Sequence, residues 1–429
     1  QELRYSTPTN KSIRGSVGGF YYASKSANDD GGALLPSGVL PADFFTLGPW
    51  VQFQPFGPGY EAVIPVGDDI FADFLDFDAV KGDGVYSDDD MSKEDSISGF
   101  GYIEADLADG LVGRVEARYA SEKKSFRSTG DLIGELGVNC DVSGGVSACS
   151  ERWNSFTTRI SLEYHPNSDW LLFATAAKGS KSGGFDVAGI GGITVVSSYD
   201  PESNWTYEVG AKGRMMDGRV IGELSVYYID WTDIVVPQVV DAIVPGGGAA
   251  LPISVNANAG KAKVTGAELS IQARLTDELR VNVGASYTNS RFTDAQVQSF
   301  EELPSFAPDG DVTGNKLLRQ PKWQLSVSPS YETEINQDVG FYARVDVMYE
   351  GKSFVGNTNQ AIIPNRTKVN ARTGIRMSSG IELEFWAENL FNDKKPDAAF
   401  RDVYLNNTAD GTTTGFNAIF PWRMSVIHP

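Results

Sequence analysis

The segment VTGAELSIQARLTDELRVNVGASYTNSRF, residues 264–292, decides the fold class. Apolar and polar residues alternate on both sides of a short polar break, TDE at 276–278. Because successive side chains of a β-strand point to opposite faces, this alternation gives each half of the segment one apolar and one polar face. The segment is therefore predicted to be a β-hairpin.

The same alternation recurs along the whole chain and predicts fourteen strands in seven hairpins. Their ranges are 1–6/14–25, 94–107/110–122, 155–164/169–180, 203–214/219–236, 254–275/279–293, 321–333/339–350 and 365–378/381–390. Turns within hairpins are short and carry turn residues, as in ADG, MMDGR and SSG. Connections between hairpins are long, at about 26–93, 123–154, 181–202, 237–253, 294–320, 351–364 and 391–415.

This alternation of short turns and long connections distinguishes between all-β architectures. A sandwich distributes long loops to both ends, and a propeller repeats at a fixed period that is not visible here. Outer-membrane barrels have short turns on one side and long loops on the other. The sequence predicts an all-β, antiparallel, up-and-down transmembrane β-barrel of about 14–15 strands, with short periplasmic turns and long extracellular loops. Aromatic residues near strand ends are predicted to form interface girdles: Trp170, Trp205, Trp231, Trp323, Tyr119, Tyr164, Tyr228, Tyr287 and Tyr349.

Composition excludes several other classes. No apolar run reaches the ~18–20 residues of a transmembrane helix, which excludes a helical membrane protein. The net charge of −20, without any basic block, excludes a nucleic-acid partner. No nucleophile-elbow, metalloprotease or P-loop motif occurs, and neither His165 nor His428 is placed as a catalytic base. The chain is therefore predicted not to be an enzyme.

The two cysteines, Cys140 and Cys149, lie nine residues apart in a Gly/Ser-rich segment. In an oxidising compartment this spacing predicts one small disulfide-closed loop. Free thiols and a metal site are the alternatives, and His165 is the nearest candidate for a further metal ligand.

Several stretches resemble the C-terminal half of TonB-dependent receptors, the outer-membrane active transporters for scarce nutrients. The stretches are FATAAKGSKSGGFD (173–186), NWTYEVGAKGRMMDGRVIGELSVYYIDWTDI (204–234), NAGKAKVTGAELSIQARLTDELRVNVGASYTNSRF (258–292) and ELEFWAENLFNDKK (382–395). In the last of these, Asn389, Leu390 and Phe391 match the family's Asn-Leu-Phe near the final strands. The resemblance covers most strands but not the loops.

The resemblance implies a 22-stranded barrel filled by an N-terminal plug domain. Residues 1–429 are then the C-terminal part of that barrel, and the plug and the first barrel strands are expected to be absent from this sequence. Either Phe420–Ile427 is a shortened last strand or the last strand begins after Pro429, and the second arrangement is expected. The implied partners are outer-membrane lipid, the receptor's own plug domain and, through the missing N-terminal part, the TonB-ExbB-ExbD complex.

Three sets of residues are candidates for sites. The polar strand faces are expected to line the lumen, with Arg159, Glu163, Lys212, Glu268, Arg274, Arg344, Asp346, Arg372 and Glu384. The long connection 26–93 is aromatic and acidic, and its predicted substrate-binding residues are Phe44, Trp50, Phe53, Tyr60, Phe74 and Tyr86. Asp88, Asp89 and Asp90 could hold Ca²⁺, although a solvated acidic loop is the simpler interpretation; no other cofactor is predicted.

The family resemblance implies energised uptake of a scarce small molecule across the outer membrane of a Gram-negative bacterium. An iron-siderophore is the expected substrate, with cobalamin or a glycan as further options. A passive porin-like channel and a soluble β-rich binding or adhesion protein are the alternative functions.

Overall fold

The computed structural model describes residues 1–33, 85–128, 132–136, 140–143, 146–190, 193–242, 251–297, 310–359, 361–395, 399–402 and 418–421. Within these ranges the chain forms the strands β1 (Glu2–Ser6), β2 (Ile13–Ala33), β3 (Val85–Ala108), β4 (Leu111–Ser128), β5 (Leu132–Leu136), β6 (Cys140–Ser143), β7 (Val146–Asn167), β8 (Trp170–Lys181), β9 (Gly184–Ile190), β10 (Ile193–Tyr199), β11 (Glu202–Met215), β12 (Val220–Ala242), β13 (Leu251–Arg274), β14 (Leu279–Ala295), β15 (Trp323–Asn336), β16 (Val339–Glu350), β17 (Ser353–Phe354), β18 (Ile362–Ile363), β19 (Arg366–Met377), β20 (Glu382–Ala387), β21 (Ala399–Asp402) and β22 (Ala418–Pro421). In the described part of the chain, no helix is long and apolar enough to cross a membrane.

Fourteen of these strands form one antiparallel sheet in the order β1-β2-β3-β4-β7-β8-β11-β12-β13-β14-β15-β16-β19-β20, and β6 pairs alongside β7. Each successive strand of this order hydrogen-bonds to its neighbour, which is the up-and-down topology that the sequence predicts. All fourteen predicted strands are confirmed, and the structure lengthens several of them. The sheet has the consecutive antiparallel strand order of an up-and-down barrel wall, as the alternation predicts.

Short turns close the hairpins at one end of the sheet. In the β11–β12 turn, Met216, Asp217 and Gly218 all have positive φ, and Gly218 N donates to Met215 O at 3.2 Å. Gly110 in the β3–β4 turn has a φ of 68°, and a Cβ there would lie 2.4 Å from the carbonyl oxygen of His165 on β7. Glycine is therefore needed both for the turn conformation and for the close approach of the neighbouring strand.

The predicted limits of the long connections were wrong where the structure continues the strands. The segment 26–93 was predicted to be a loop, but β2 runs to Ala33 and β3 begins at Val85. The 123–154 and 237–253 connections are similarly shortened by the longer strands on both sides. The 181–202 connection contains the β9–β10 hairpin, which pairs with β5 as a separate three-stranded sheet. The lengthened strands of the main sheet, namely β2, β3, β4, β7, β12 and β13, project beyond the predicted hairpins, as strands of large barrels do.

Near the C-terminal end, β22 pairs with β21 and not with the main sheet. Residues 422–429 lie outside the described part of the chain, so the expectation that the last barrel strand begins after Pro429 stays a prediction.

One face of the main sheet is apolar over its whole width. A row of directly opposed residues crosses six strands, namely Ile103, Val115, Ile160, Ala176, Tyr207 and Tyr228. A second row crosses five strands, from Val209 through Val226, Ala267 and Tyr287 to Trp323. Many of these side chains are exposed, including Val115 at 51% and Val209 at 53%. An exposed apolar surface of this extent fits contact with lipid.

The buried apolar clusters lie at the end of the sheet opposite to the short turns. Phe292 and Val312 are 1% exposed and pack with Ile234, Val236, Ala262, Ala295 and Val297. Trp231 packs against this cluster, and its indole N–H donates to Glu202 at 3.0 Å. The predicted girdle position of Trp231 was therefore wrong, because its side chain lies on the face opposite to Tyr228.

Candidate functional site

The polar face of the sheet is the candidate site. A row of directly opposed residues crosses nine strands at one level: Glu163, Phe173, Gly210, Ser225, Glu268, Ser286, Gln324, Glu350 and Arg366. Phe173 covers Gly210, where a Cβ would lie 2.4 Å from the ring. Because the register places every second residue of each strand on this face, its composition follows directly from the sequence.

The structure places all nine predicted lumen-lining residues on this polar face. Glu163 and Glu268 belong to the row itself. Each of the others lies an even number of residues along its strand from a member of the row, or directly opposite such a residue on the next strand. Strand alternation therefore puts them on the same face: Arg159, Lys212, Arg274, Arg344, Asp346, Arg372 and Glu384. Their function as lumen contacts stays a prediction.

Arginines dominate the turn end of the polar face. A cavity of about 450 Å³ is lined there by Arg219, Arg274, Arg280, Arg344, Arg372 and Arg376. Some of these arginines are paired: Arg344 binds Asp346 at 2.7 Å, and Arg376 binds Glu382 at 3.1 Å. Tyr342 donates to Glu384 at 2.7 Å in the same cavity. Guanidinium groups in such number suit an anionic, hydrogen-bonding partner surface.

Carboxylates are more frequent halfway along the strands. A cavity of about 740 Å³ is lined there by Glu208, Glu223, Glu268 and Glu350, together with Arg366 and Lys368. Arg366 binds Glu350 at 2.6 Å, and Lys212 binds Glu223 at 2.8 Å. Both signs of charge therefore alternate on the face, which presents polar groups to water or to a polar partner.

A third polar cluster, which was not predicted from the sequence, lies on β2, β3 and β4. Arg14 on β2 forms ion pairs with Glu104 and, at 2.8 Å, with Asp106 on β3. Arg114 on β4 binds Glu116 at 2.7 Å, and its guanidinium lies 4.0 Å from the ring centroid of Tyr102. Alternation within 14–25, 94–107 and 110–122 was the signal that could have identified these residues.

Most residues predicted to bind substrate or metal fall outside the described part of the chain. Phe44, Trp50, Phe53, Tyr60 and Phe74 lie in 34–84, which the structure does not describe. The backbones of Tyr86, Asp88, Asp89 and Asp90 belong to β3, but their side chains are outside the description. Among the described side chains, no cluster of three His, Cys, Asp or Glu is placed to hold a metal ion. Substrate contact and calcium binding stay predictions.

The predicted disulfide is confirmed. Cys140 on β6 and Cys149 on β7 are directly opposed and bonded to each other. Cys149 is 1% exposed and packs with Phe126 and Val196, which joins the β6–β7 region to the β9–β10 hairpin. Trp153 and Phe185 add an edge-to-face contact with ring centroids 5.4 Å apart. The connections beyond β4 and β8 thus pack on each other.

Local hydrogen bonds shift the pKa of two carboxyl groups that lie outside the main sheet, those of Asp393 and Asp311. Backbone N–H groups of Thr367 and Lys395 donate to the Asp393 carboxylate, each at 3.0 Å, and lower the pKa of Asp393. The Thr313 hydroxyl and backbone N–H similarly lower the pKa of Asp311. Both carboxylates are therefore charged at neutral pH and hold the connections that carry them.

An antiparallel up-and-down wall with one apolar, lipid-type face and one polar, charge-bearing face is the arrangement found in outer-membrane barrels. The family model described as "TonB dependent receptor-like, beta-barrel" matches residues 2–390. The chain therefore belongs to the TonB-dependent receptor family.

Among curated proteins, the chain is similar to the metal-pseudopaline receptor CntO of Pseudomonas aeruginosa. The two are 26% identical over 251 residues, which cover 58% of this chain and 31% of the relative. Among solved structures it is similar to the ferric yersiniabactin uptake receptor FyuA from Yersinia pestis, at 15% identity and a TM-score of 0.62 over 95% of this chain and 50% of that one. The siderophore receptor PiuA from Acinetobacter baumannii gives 15% identity and a TM-score of 0.57 over 93% and 52%.

The match spans about a third of the curated relative, and this chain covers about half of each of these solved structures. At such low identity the solved structures show the fold alone.

Proposed function

We propose that this chain forms part of the barrel wall of an outer-membrane receptor for energised uptake of a small-molecule metal chelate, an iron-siderophore in particular. The observation that carries the proposal is the two-faced sheet within the matched family range. Its apolar face is suited to lipid and its polar face to a filled lumen. The curated relative is a metal-pseudopaline receptor, and the solved structures include a ferric yersiniabactin uptake receptor and a siderophore receptor.

The polar face would contact a plug domain. The arginines at the turn end and the carboxylates halfway along the strands offer both signs of charge to such a partner. In this proposal, TonB with ExbB and ExbD acts on the plug, while the barrel wall stays in place and guides the substrate.

The exposed apolar rows argue against a soluble β-rich protein, since such a surface would aggregate in water. A passive porin-like channel would share these rows, so the two transport functions are separated by their energy requirement.

The test uses the complete receptor gene in its own host, with a deletion strain and a complemented strain. Uptake of a ⁵⁵Fe-labelled siderophore is measured with and without a protonophore, and in a strain that lacks TonB. The proposal expects uptake in the complemented strain that a protonophore and loss of TonB both abolish. Uptake that persists under both conditions would indicate a passive channel.

Substrate contact by the 26–93 connection is tested in the same assay. Trp50→Ala and Phe53→Ala are expected to weaken binding of the labelled chelate to whole cells. Phe156→Ala is the matched control, because it removes an aromatic ring from the exposed apolar face of β7 and none from the predicted binding loop. Equal binding by all three variants would exclude these two aromatics from the substrate site.

A further inference from the structure

Four cationic side chains gather on the apolar side of the sheet, at the end that carries the long connections. Lys263 on β13 and Arg291 on β14 are directly opposed. Lys263 lies four residues from Ala267, and Arg291 lies four residues from Tyr287, so strand alternation places both on the lipid-type face. Lys316 and Lys322, from the segment between β14 and β15, complete this set. We refer to the four residues as the basic patch.

Contacts of the two lysines fix their position. The Lys316 ammonium donates to the Asn289 side-chain oxygen, and Asn289 lies between Tyr287 and Arg291 on the same face of β14. The Lys322 ammonium lies 5.2 Å from the ring centroid of Tyr287. The Tyr287 ring in turn packs on Trp323, with centroids 4.7 Å apart. The basic patch therefore adjoins an outward-facing aromatic pair.

The patch carries an uncompensated charge. Directly opposed like charges on neighbouring strands are destabilising, and Lys263 faces Arg291. Desolvation lowers the pKa of Lys316, and the charges of Lys322 and Arg291 lower it further. Asp230 is the cross-strand neighbour of Lys263 on its other side. Among the described residues no ion pair joins Asp230 to the patch, and the neighbouring carboxylate of Asp294 is paired with Lys261 at 3.6 Å.

The level of the patch matches that of lipid headgroups. Aromatic side chains mark the membrane–water interface in membrane proteins. At about 3.4 Å per residue, Arg291 lies ~14 Å along the strand beyond Tyr287, and less along the membrane normal because barrel strands are tilted. Below the aromatic pair the same face continues as Leu325, Ala285 and Val283, which suit acyl chains.

We propose that the basic patch binds the phosphate groups of a phosphorylated glycolipid headgroup in the outer leaflet. The proposal rests on the outer-membrane location proposed above. A lipid is favoured over free phosphate because the apolar face continues directly beneath the cations. One molecule could then place its phosphates on the patch and its chains against the sheet. Anion binding would also offset the repulsion between Lys263 and Arg291.

The test uses the complete receptor purified in detergent, with bisphosphorylated lipid A as the probe and native mass spectrometry as the readout. Arg291→Gln combined with Lys316→Gln removes half of the patch. Lys261→Gln is the matched control, since Lys261 lies nearby on β13 but is paired with Asp294 at 3.6 Å. Each lysine or arginine near an anionic membrane surface adds to the binding free energy. Removing two of them is therefore expected to weaken lipid A binding about thirtyfold. The control is expected to bind like the unchanged receptor.

Two further probes separate lipid from free phosphate. Dephosphorylated lipid A is expected to bind as weakly as lipid A binds to the double variant. Inorganic phosphate at millimolar concentration is expected to leave lipid A bound. Equal binding of lipid A before and after dephosphorylation would overturn the proposal, as would full displacement by inorganic phosphate.

Folding and location are checked separately. Heat-modifiable electrophoretic mobility reports whether each variant is folded, and cell fractionation reports its location independently of lipid binding. If the double variant does not fold, the unchanged receptor still tests the proposal, because binding of lipid A must weaken between 0.05 and 0.5 M salt. Binding that does not depend on salt would refute a role for the cations.

Discussion

Replacing Phe292 with Ala is expected to release the segment 310–317 from the sheet without unfolding the barrel. Phe292 is 1% exposed and is the largest side chain of the cluster at the long-connection end. The segment runs antiparallel to the end of β14 through four backbone hydrogen bonds of 2.7–3.0 Å: Val297 N to Gly310 O, Val312 N to Ala295 O, Gly314 N to Phe292 O and Phe292 N to Asn315 O. The cluster and these bonds hold the segment together.

The magnitude follows from the complete burial of the ring. A buried Phe→Ala change removes the transfer free energy of the ring and leaves a cavity, at a cost of about 3–5 kcal/mol. Val312 belongs both to the same cluster and to the hydrogen-bonded segment, so the lost packing free energy lowers the cost of opening this segment locally. A decrease of that size corresponds to at least two orders of magnitude in the opening equilibrium constant.

Amide hydrogen exchange in the complete receptor measures this opening. The amides of Val312 and Gly314 are expected to exchange at least about 100-fold faster in the Phe292→Ala variant, while those in the middle of β13 and β14 keep their rates. Phe156→Ala is the control, because Phe156 is 52% exposed on the other face and its loss leaves no internal cavity. Unchanged exchange at Val312, or an equal increase through β13 and β14, would refute this reasoning.

Three other predictions concern the disulfide, the two faces of the sheet and the turn that carries Asp393. Loss of the Cys140–Cys149 bond in Cys149→Ser is expected to destabilise the connection between β4 and β7 by about 2.6 kcal/mol, the value for so short a loop. Amide exchange should then become faster at Phe126 and Val196, which pack on Cys149. Unchanged exchange rates would contradict this prediction. Leu269→Arg on the apolar face is expected to cost ~2–4 kcal/mol of barrel stability in lipid vesicles, whereas Ser270→Arg, on the polar face and opposite Glu223, costs little; equal losses would mean that the faces are wrongly assigned. Because the pKa of Asp393 is lowered in the folded state, its charged carboxylate stabilises the fold above the unfolded pKa of about 3.9, and this stabilisation is lost as pH falls through the folded pKa. The amide of Thr367, with exchange corrected for intrinsic rates, should therefore lose protection in acid. Asp393→Asn should remove that dependence on pH.

Sequence alternation predicted the sheet because strands have a period of two and one of their faces must be apolar. The ends of the strands could not be predicted in this way. The extension of β2 reads SANDDGGA, and β3 begins VYSDDDMSK, stretches without alternation and with low strand propensity. Residues 26–33 are strand because each pairs with a partner in 85–92. Tertiary pairing overrides local propensity there.

The candidate site could be predicted only where alternation along a strand decides which face of the sheet a side chain takes. The polar face could be assigned residue by residue, since alternation fixes which side each position takes. The basic patch could not, because Lys263, Arg291, Lys316 and Lys322 come from two strands and a connection. Only register and side-chain contacts bring them together. Trp231 was misplaced for a related reason, since it lies on the opposite parity from Tyr228 and next to a register shift in β12.

The point at which charge first enters the lipid-type face gives an independent estimate of the membrane boundary. From Leu275, directly after β13, the apolar positions run back to Ala267, which is nine residues, and on β14 they run from Leu279 to Tyr287, again nine. A tilted barrel strand needs ~9–11 residues to span the hydrocarbon core. Beyond this length Thr265 faces Asn289, and Lys263 faces both Arg291 and Asp230, so three strands change from apolar to charged at the same level of the sheet. Agreement of three strands on one boundary is expected if a bilayer selects the residues, because a soluble sheet has no reason to place its first outward charges at one level.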